Sequence, residues 1–404
     1  MSVALPLAGN SIQTAVSRAD GSTRIATVQV QDNLAATEAV WRHLQSEQTI
    51  ATPYQHYDFL SSWRDCVGAR AGVKPLIVSA YDSAGHPLFL WPLGYADHGP
   101  FRILQFLGGK HANVNLGLWH QDTAALMTAA DLALVFNRVA ASGHGIDLVA
   151  LRRQPSHWNG VANPLLLLPH QASPSDSCRR DLVRSSDGAV DLGVSRGMRK
   201  QLRGKDRKLT ALPGYRYFRA STTEEVERLL DWFFPTKAKH LSAQGLTNAF
   251  AEPGVRDFVR DICHRGLSAQ APLTELHAIE ANGELLAVFA GIGDGRRFSS
   301  MFNTYTLGPL SRLSPGLVLM LHMIADLGER GYTSFDLGVG DATYKRGFCR
   351  EVEPLFDSFL PLTPKGHLAA LGARSATAVK RGIKRTPRLF AALQSLQRLV
   401  HTRS

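Results

Sequence analysis

The chain has 404 residues and is 44% hydrophobic, enough apolar material for two ordinary cores and more than one domain usually holds. No apolar run approaches the roughly 20 residues needed to cross a bilayer. The densest run, PLLLLP at Pro164–Pro169, is far shorter, and the start MSVALPLAGNSIQ lacks the basic-then-apolar order of a secretory leader, so none is expected.

Residues 1–22 are small and polar and are expected to be disordered. A first half follows over 23–170. It opens with a strand at Ile25–Val30 and an amphipathic helix at Leu34–Gln48. In TPYQHYDFLSSWRDCVG (Thr52–Gly68), a proline-containing turn leads into a second helix. Strands are predicted at Pro75–Tyr81, Pro87–Ala96 and Phe101–Phe106, then a helix at Thr123–Ser142 and a strand at Ile146–Leu151. The stretch 171–195 is rich in Ser, Asp and Arg and has no firm period, so it reads as a linker.

The second half, 196–363, opens on a basic helix, Met198–Leu212. A strand at Tyr215–Ala220 and helices at Thr223–Leu241 and Gly254–Gly266 come next. Three strands are then predicted, at Glu275–Glu280, Leu285–Ile292 and Phe298–Tyr305. A helix from Ser314 to Arg330, a strand at Ser334–Leu337 and a closing strand at Pro354–Leu362 complete the pattern. The two halves share an order of elements, which suggests an internal structural duplication. The rest, 364–404, is a basic amphipathic tail.

The net charge of +11 is concentrated in two places. One is Arg196–Lys208. The other is the tail, which has no acid after Asp357 but carries Lys380, Arg381, Lys384, Arg385 and Arg388. Localised charge of this kind points to an anionic partner. No aromatic residues are interleaved with it, so specific nucleic-acid binding is not expected. Ahead of the C-terminus, Leu389, Phe390, Leu393, Leu396, Leu399 and Val400 form an apolar stripe beside the cations, a pairing suited either to an anionic membrane surface or to docking on the protein itself. The four cysteines are scattered without a CxxC pair, and the histidines show no metal-binding spacing; reduced thiols and no metal centre are expected.

Three constellations carry possible chemistry. In LSRLSPGLVLM, Ser314 suits a helix N-cap, Pro315 the first turn, and Gly316 a close approach by a ligand. A helix N-terminus there, with Arg312 nearby, suits a pyrophosphate; an ordinary capped helix is the alternative. In FDLGVGDATYKRGF (Phe335–Phe348), Gly338 and Gly340 let the chain turn off a strand end, placing Asp341, Tyr344 and Lys345 beyond it. These three can supply a base or turn anchor, a proton donor and a cation for an oxyanion. In FFPTKAKHLSAQG, Lys237 and His240 lie near one helical face, with His240 a candidate base. GxSxG and GxxxxGK[ST] are absent, which weighs against an α/β-hydrolase and a P-loop enzyme.

Read together, TPYQHYDFLSSW, LQFLGGKHANVNLGL, IDLVALRRQP, MRKQLRGKDRKL, SPGLVLM and GERGYTSFDLGVGDATYKRGF resemble the CelD-like or BioF2-like branch of the GNAT acyltransferases, over roughly Ile25–Leu362. The resemblance implies an α/β tandem GNAT-like fold of two mixed-sheet halves, shared with the FemAB aminoacyltransferases. It implies an acyl-CoA or other activated acyl donor, acetyl-CoA first, whose pyrophosphate would lie on the backbone of Leu313, Ser314, Gly316 and Leu317 with Arg312 beside it. The family's Q/RxxGxG/A loop is reduced here to a single glycine. The aromatic-Lys turn of the FemAB relatives lands on Lys345. The implied function is acyl transfer to an amine or hydroxyl of a sugar or amino-acid-bearing acceptor in polysaccharide or envelope biosynthesis, in the cytoplasm, peripheral to the inner membrane face. A non-catalytic GNAT-fold scaffold is the alternative.

Overall fold

In a computed structural model of the chain, the described residues are 24–46, 48–184, 191, 194–268, 274–340, 343–348 and 351–386. Residues 1–22 and the stripe Leu389–Val400 lie outside them. Strand β1 (Thr27–Gln31) leads through a 3-10 turn into α1 (Glu38–His43), shorter than the helix expected over Leu34–Gln48. Then comes α2 (Tyr57–Trp63), which widens into a π-turn over Arg64–Gly68. The meander β2 (Lys74–Tyr81), β3 (Pro87–His98) and β4 (Phe101–Phe106) lies where alternation predicts it.

The single helix expected over Thr123–Ser142 is two, α3 (Gln121–Leu126) and α4 (Ala129–Ala140). Thr128 has extended backbone angles, and its hydroxyl and the Asp131 carboxylate form a reciprocal capping box. That box starts a new helix and ends the old one. β5 (Leu148–Pro155) closes this part of the chain.

The stretch expected as a linker holds two strands, β6 (His170–Ala172) and β7 (Ser177–Asp181). Several of their polar side chains have specific partners, which is why no apolar period marks them. Arg179 pairs with Glu351, and the buried Arg180 donates to the carbonyls of Phe348 and Asp191. The second part then runs α5 (Arg196–Thr210), β8 (Arg216–Arg219), α6 (Thr223–Ala243), α7 (Val255–Arg265), β9 (Thr274–Ala281), β10 (Glu284–Gly293) and β11 (Arg297–Tyr305). It continues through α8 (Pro315–Glu329), β12 (Ser334–Val339), α9 (Thr343–Phe348), β13 (Glu351–Glu353), β14 (Leu355–Pro361) and α10 (Pro364–Arg385).

Two mixed sheets result, ordered β1-β2-β3-β4-β5-β14-β6 and β8-β9-β10-β11-β12-β7-β13. β14, expected to close the second half, instead pairs with β5 and β6 of the first sheet. The segment β6–β7 crosses between sheets, so the boundary drawn at 171–195 is a seam stitched from both sides. Each sheet contains one short parallel ladder, β4 with β5 and β11 with β12, at corresponding places in the two halves.

Alternation along the strands divides the side chains between cores. Ile77 and Leu90 of the first sheet and Ala278, Val288 and Ala290 of the second share one core with Phe59 and Trp63 of α2, Phe233 of α6 and Phe258 of α7. The other face of the first sheet packs on α4, and that of the second on α5 and α8. Fully burying one such side chain contributes about 1.5–3 kcal/mol, so this common core binds the halves into one body.

Candidate active site between the diverging strands

The parallel ladder of β11 and β12 covers only Arg297↔Ser334, Phe298↔Phe335 and Ser299↔Asp336. Beyond it β11 is bulged against β10 between Ala290 and Gly291, and β12 turns away at Gly338 (φ 69°) and Gly340 (φ 110°). Asp336 fixes this fork. One carboxylate oxygen accepts from Arg297 Nε (2.8 Å) and Ser299 Oγ (2.6 Å), and the other accepts from the Gly338 amide (2.9 Å). Arg297 also forms a bidentate pair with Glu353 and lies 4.2 Å from the centre of a Trp158 ring.

A loop of the first half enters the opening. Asn113 Nδ2 donates to the Ser300 carbonyl (2.8 Å) and to Tyr54 Oη (3.0 Å). A Cβ at position 338 would stand 2.6 Å from that same Nδ2, so the glycine is required both for its positive φ and to admit Asn113. Tyr54 and Asn113 were not singled out as site residues from the sequence. The signal available was a Gly-Gly turn followed by polar residues within an apolar meander, GGKHANVN.

Behind Asn113 lies a cavity of about 410 Å³, lined by residues from β11, β12, α6 and α9. Lys237 and His240 line it, three residues apart on α6, and so does Lys345. Lys237 Nζ donates to the Asn303 carbonyl (2.9 Å), and His240 Nδ1 lies 2.8 Å from Thr304 Oγ1. His240 Nε2 is buried without a hydrogen-bond partner. Burial holds the Lys237 ammonium below its ordinary pKa; burial and then Lys237 hold the His240 imidazole below its own. Lys345 is buried and donates to the carbonyls of Val339 (3.1 Å) and Gly338 (3.4 Å), tying α9 to the end of β12. Asp341 and the side chain of Tyr344 lie outside the described residues.

A second cleft of about 240 Å³ opens at the start of α8. Ser314, Gly316 and Leu317 line it, whereas Arg312 is exposed outside it and Leu313 packs on the neighbouring core. Ser314 occupies the N-cap position in a left-handed conformation (φ 50°, ψ 53°) but does not cap the helix. Its hydroxyl accepts instead from Lys205 of α5 (2.7 Å), so a cation unassigned from the sequence stands at this helix start. Asn303, Thr304 and Tyr305 line both cavities. The end of β11 is therefore a wall common to the two spaces, one at a helix N-terminus and one holding an imidazole and two ammonium groups.

Residues 196–346 match the family model described as an acetyltransferase (GNAT) domain. Among solved structures, FemX is 11% identical with a TM-score of 0.54, the match covering 80% of this chain and 99% of that one. A conserved protein of unknown function from Bacteroides thetaiotaomicron VPI-5482 is 13% identical with a TM-score of 0.51, covering 83% and 100%. The C-terminal domain of a putative lysylphosphatidylglycerol synthetase from Agrobacterium fabrum is 14% identical with a TM-score of 0.46, covering 80% and 96%. No curated protein sequence matches significantly. At these identities FemX and the Bacteroides protein speak to the fold alone, and with the family match and the duplicated sheet pattern they give a tandem GNAT-like fold.

Proposed function

We propose, since residues 196–346 match the model of a GNAT acetyltransferase domain, that this protein transfers an acyl group, acetyl first, from an acyl-CoA to an amine or hydroxyl of a sugar or amino-acid-bearing acceptor in polysaccharide or envelope biosynthesis. The observation that carries this reading is the pair of cavities sharing the wall Asn303–Tyr305. The donor phosphates sit at the start of α8, where free amides and the positive end of the dipole favour anions and Lys205 adds charge. The acyl group reaches the gap between β11 and β12.

The acceptor approaches from the larger cavity. Its nitrogen or oxygen attacks the acyl carbonyl, the C–S bond breaks, and the acceptor proton passes to His240 Nε2. With Nδ1 donating to Thr304 Oγ1, Nε2 carries the lone pair this step needs. Lys345, held on two backbone carbonyls, offers its cation to the developing oxyanion, with Asp341 and Tyr344 assigned to the same turn. Positioning both substrates across one strand end supports direct transfer without a covalent intermediate.

The test is a mass-detected turnover screen with acetyl-CoA and longer acyl-CoAs, alongside titration of CoA into the full chain. Acyl transfer to an amine or hydroxyl is expected, with Gly316→Glu weakening CoA binding by setting a carboxylate at the helix start. Absence of both CoA binding and transfer would overturn the reading in favour of a scaffold.

Membrane attachment is part of the same proposal. No helix among the described residues is long and apolar enough to cross a membrane. On α10, Ala370 and Thr377 are buried, while Leu368, Leu371 and Val379 are 60–68% exposed near Lys365 and Lys380. Exposed apolar side chains beside cations suit an anionic lipid surface, at about 1 kcal/mol per nearby Lys or Arg. The full chain should sediment with anionic vesicles at low salt, and Leu368→Glu/Leu371→Glu should not. Equal sedimentation of the two would refute attachment through this helix.

A further inference from the structure

We propose that the larger cavity selects acceptors carrying an oxyanion, a carboxylate or a phosphoryl group, beside the nucleophilic amine or hydroxyl. This rests on the acyl-transfer reading and extends it to the class of acceptor. Lys237 brings an ammonium into the cavity wall, where its hydrogen bond runs to a neutral carbonyl oxygen. Lys345 places a second ammonium in the same wall, and Asn113 and Gln244 contribute amides. No aspartate or glutamate is among the described residues lining the cavity. The half-buried Lys237 ammonium thus meets a neutral carbonyl oxygen and, among the described residues lining the cavity, no carboxylate, so an anion entering there supplies the counter-charge that normally accompanies such a group.

An independent observation points to the same space. His240 is only 8% exposed, and its Nε2 has no hydrogen-bond partner although it belongs to the cavity lining. Buried polar atoms are normally satisfied, so this one is directed at something the cavity receives. An acceptor whose reacting N–H or O–H meets Nε2 and whose anionic group meets Lys237 satisfies both groups at once. A polycationic acceptor would bring like charge against Lys237 and is selected against.

The experiment saturates the full chain with CoA, so that the α8 cleft is filled, and then titrates acetate, inorganic phosphate and neutral acetamide by calorimetry. Acetate or phosphate should bind while acetamide does not, and the stronger of the two identifies a carboxylate or a phosphoryl acceptor. Lys237→Gln should weaken that binding tenfold or more, and Lys237→Arg should restore part of it. CoA affinity should be the same in all three proteins. Binding of neither anion, equal binding of acetamide, or unchanged anion binding in Lys237→Gln would overturn the inference. The preceding CoA titration separates this failure from failure of the acyl-transfer reading, which predicts CoA binding in every case.

Discussion

At the scale of single residues, His240 combines two properties a general base needs: a fixed Nδ1 contact and a buried Nε2 facing a cavity. Burial and Lys237 keep it from protonating, so it stays neutral below its ordinary value of 6.5. A base is active when deprotonated, so kcat/KM should rise with pH along an acid limb whose midpoint lies below 6.5. His240→Gln should lower kcat by about 100-fold or more and abolish that limb. A pH–rate profile of the two proteins checks this, and an unchanged limb would assign the base elsewhere. Asp336, in the motif that carries Lys345, acts differently: fully buried and bonded to Arg297, Ser299 and the Gly338 amide, it holds the fork.

At the scale of elements, the site depends on a ladder that stops after three residue pairs. Gly338→Ala puts a Cβ against Asn113 Nδ2 and strains a φ of 69°. It should lower Tm and reduce kcat/KM by about 100-fold, the scale on which small misplacements act. Adding Asn113→Ala should restore part of the Tm, because the clash is gone, without restoring activity. Such coupling is what a double-mutant cycle measures; strictly additive Tm changes would contradict the contact.

Much of this architecture was legible in the sequence. The strands of both meanders follow from alternation, the helix start after Ser314 from its SPG triplet, and the strand-end turn from Gly338 and Gly340. Lys237 and His240, paired by helical spacing, lie on one helix and line one cavity. What was not legible came from partners distant in sequence. The polar strands β6 and β7 show no apolar period because their ladders and ion pairs, such as Arg179–Glu351, are supplied by residues more than 150 positions away. Asn113 and Tyr54 become site residues only because the halves pack together. The break before α4 was written in Thr128 and Asp131 as a capping box, but the apolar periodicity on either side masks it.

At the scale of the whole molecule, the exchanged strands make the halves interdependent. A chain ending before β14 exposes the edge of β5, and residues 196–363 alone lack β7 beside β12. Expressed separately, 23–195 and 196–386 should be insoluble, and co-expressed they should co-purify; a soluble, monomeric 196–363 would show the seam to be dispensable. The molecule should also lose stability in mild acid. Burial holds His56 and His111 down to about 4, with Asp58 opposing the effect at His56 and Lys110 adding to it at His111. Both fold with pKa values below the unfolded 6.5, so the unfolded chain binds more protons between those limits. Stability is full above 6.5 and falls as pH drops toward 4, by up to about 1.4 kcal/mol per pH unit for each histidine. Urea unfolding at pH 7 and pH 5 measures the drop, and His56→Gln/His111→Gln should reduce it. His111 Nδ1 accepts from Trp63 Nε1 (3.0 Å) on the loop that carries Asn113, so acid should loosen the site before the fold.

The strand exchange also has a consequence for how the protein is made. β5 ends at Pro155, but its neighbour β14 begins at Leu355, about 200 residues later in synthesis. At about 5–20 residues per second, the first sheet waits roughly 10–40 s on the ribosome with an open, hydrogen-bonding edge. The first half cannot finish folding as it emerges. Closure is a late, long-range event that follows release of the C-terminal segment, and the nascent chain is exposed to edge-to-edge aggregation until then.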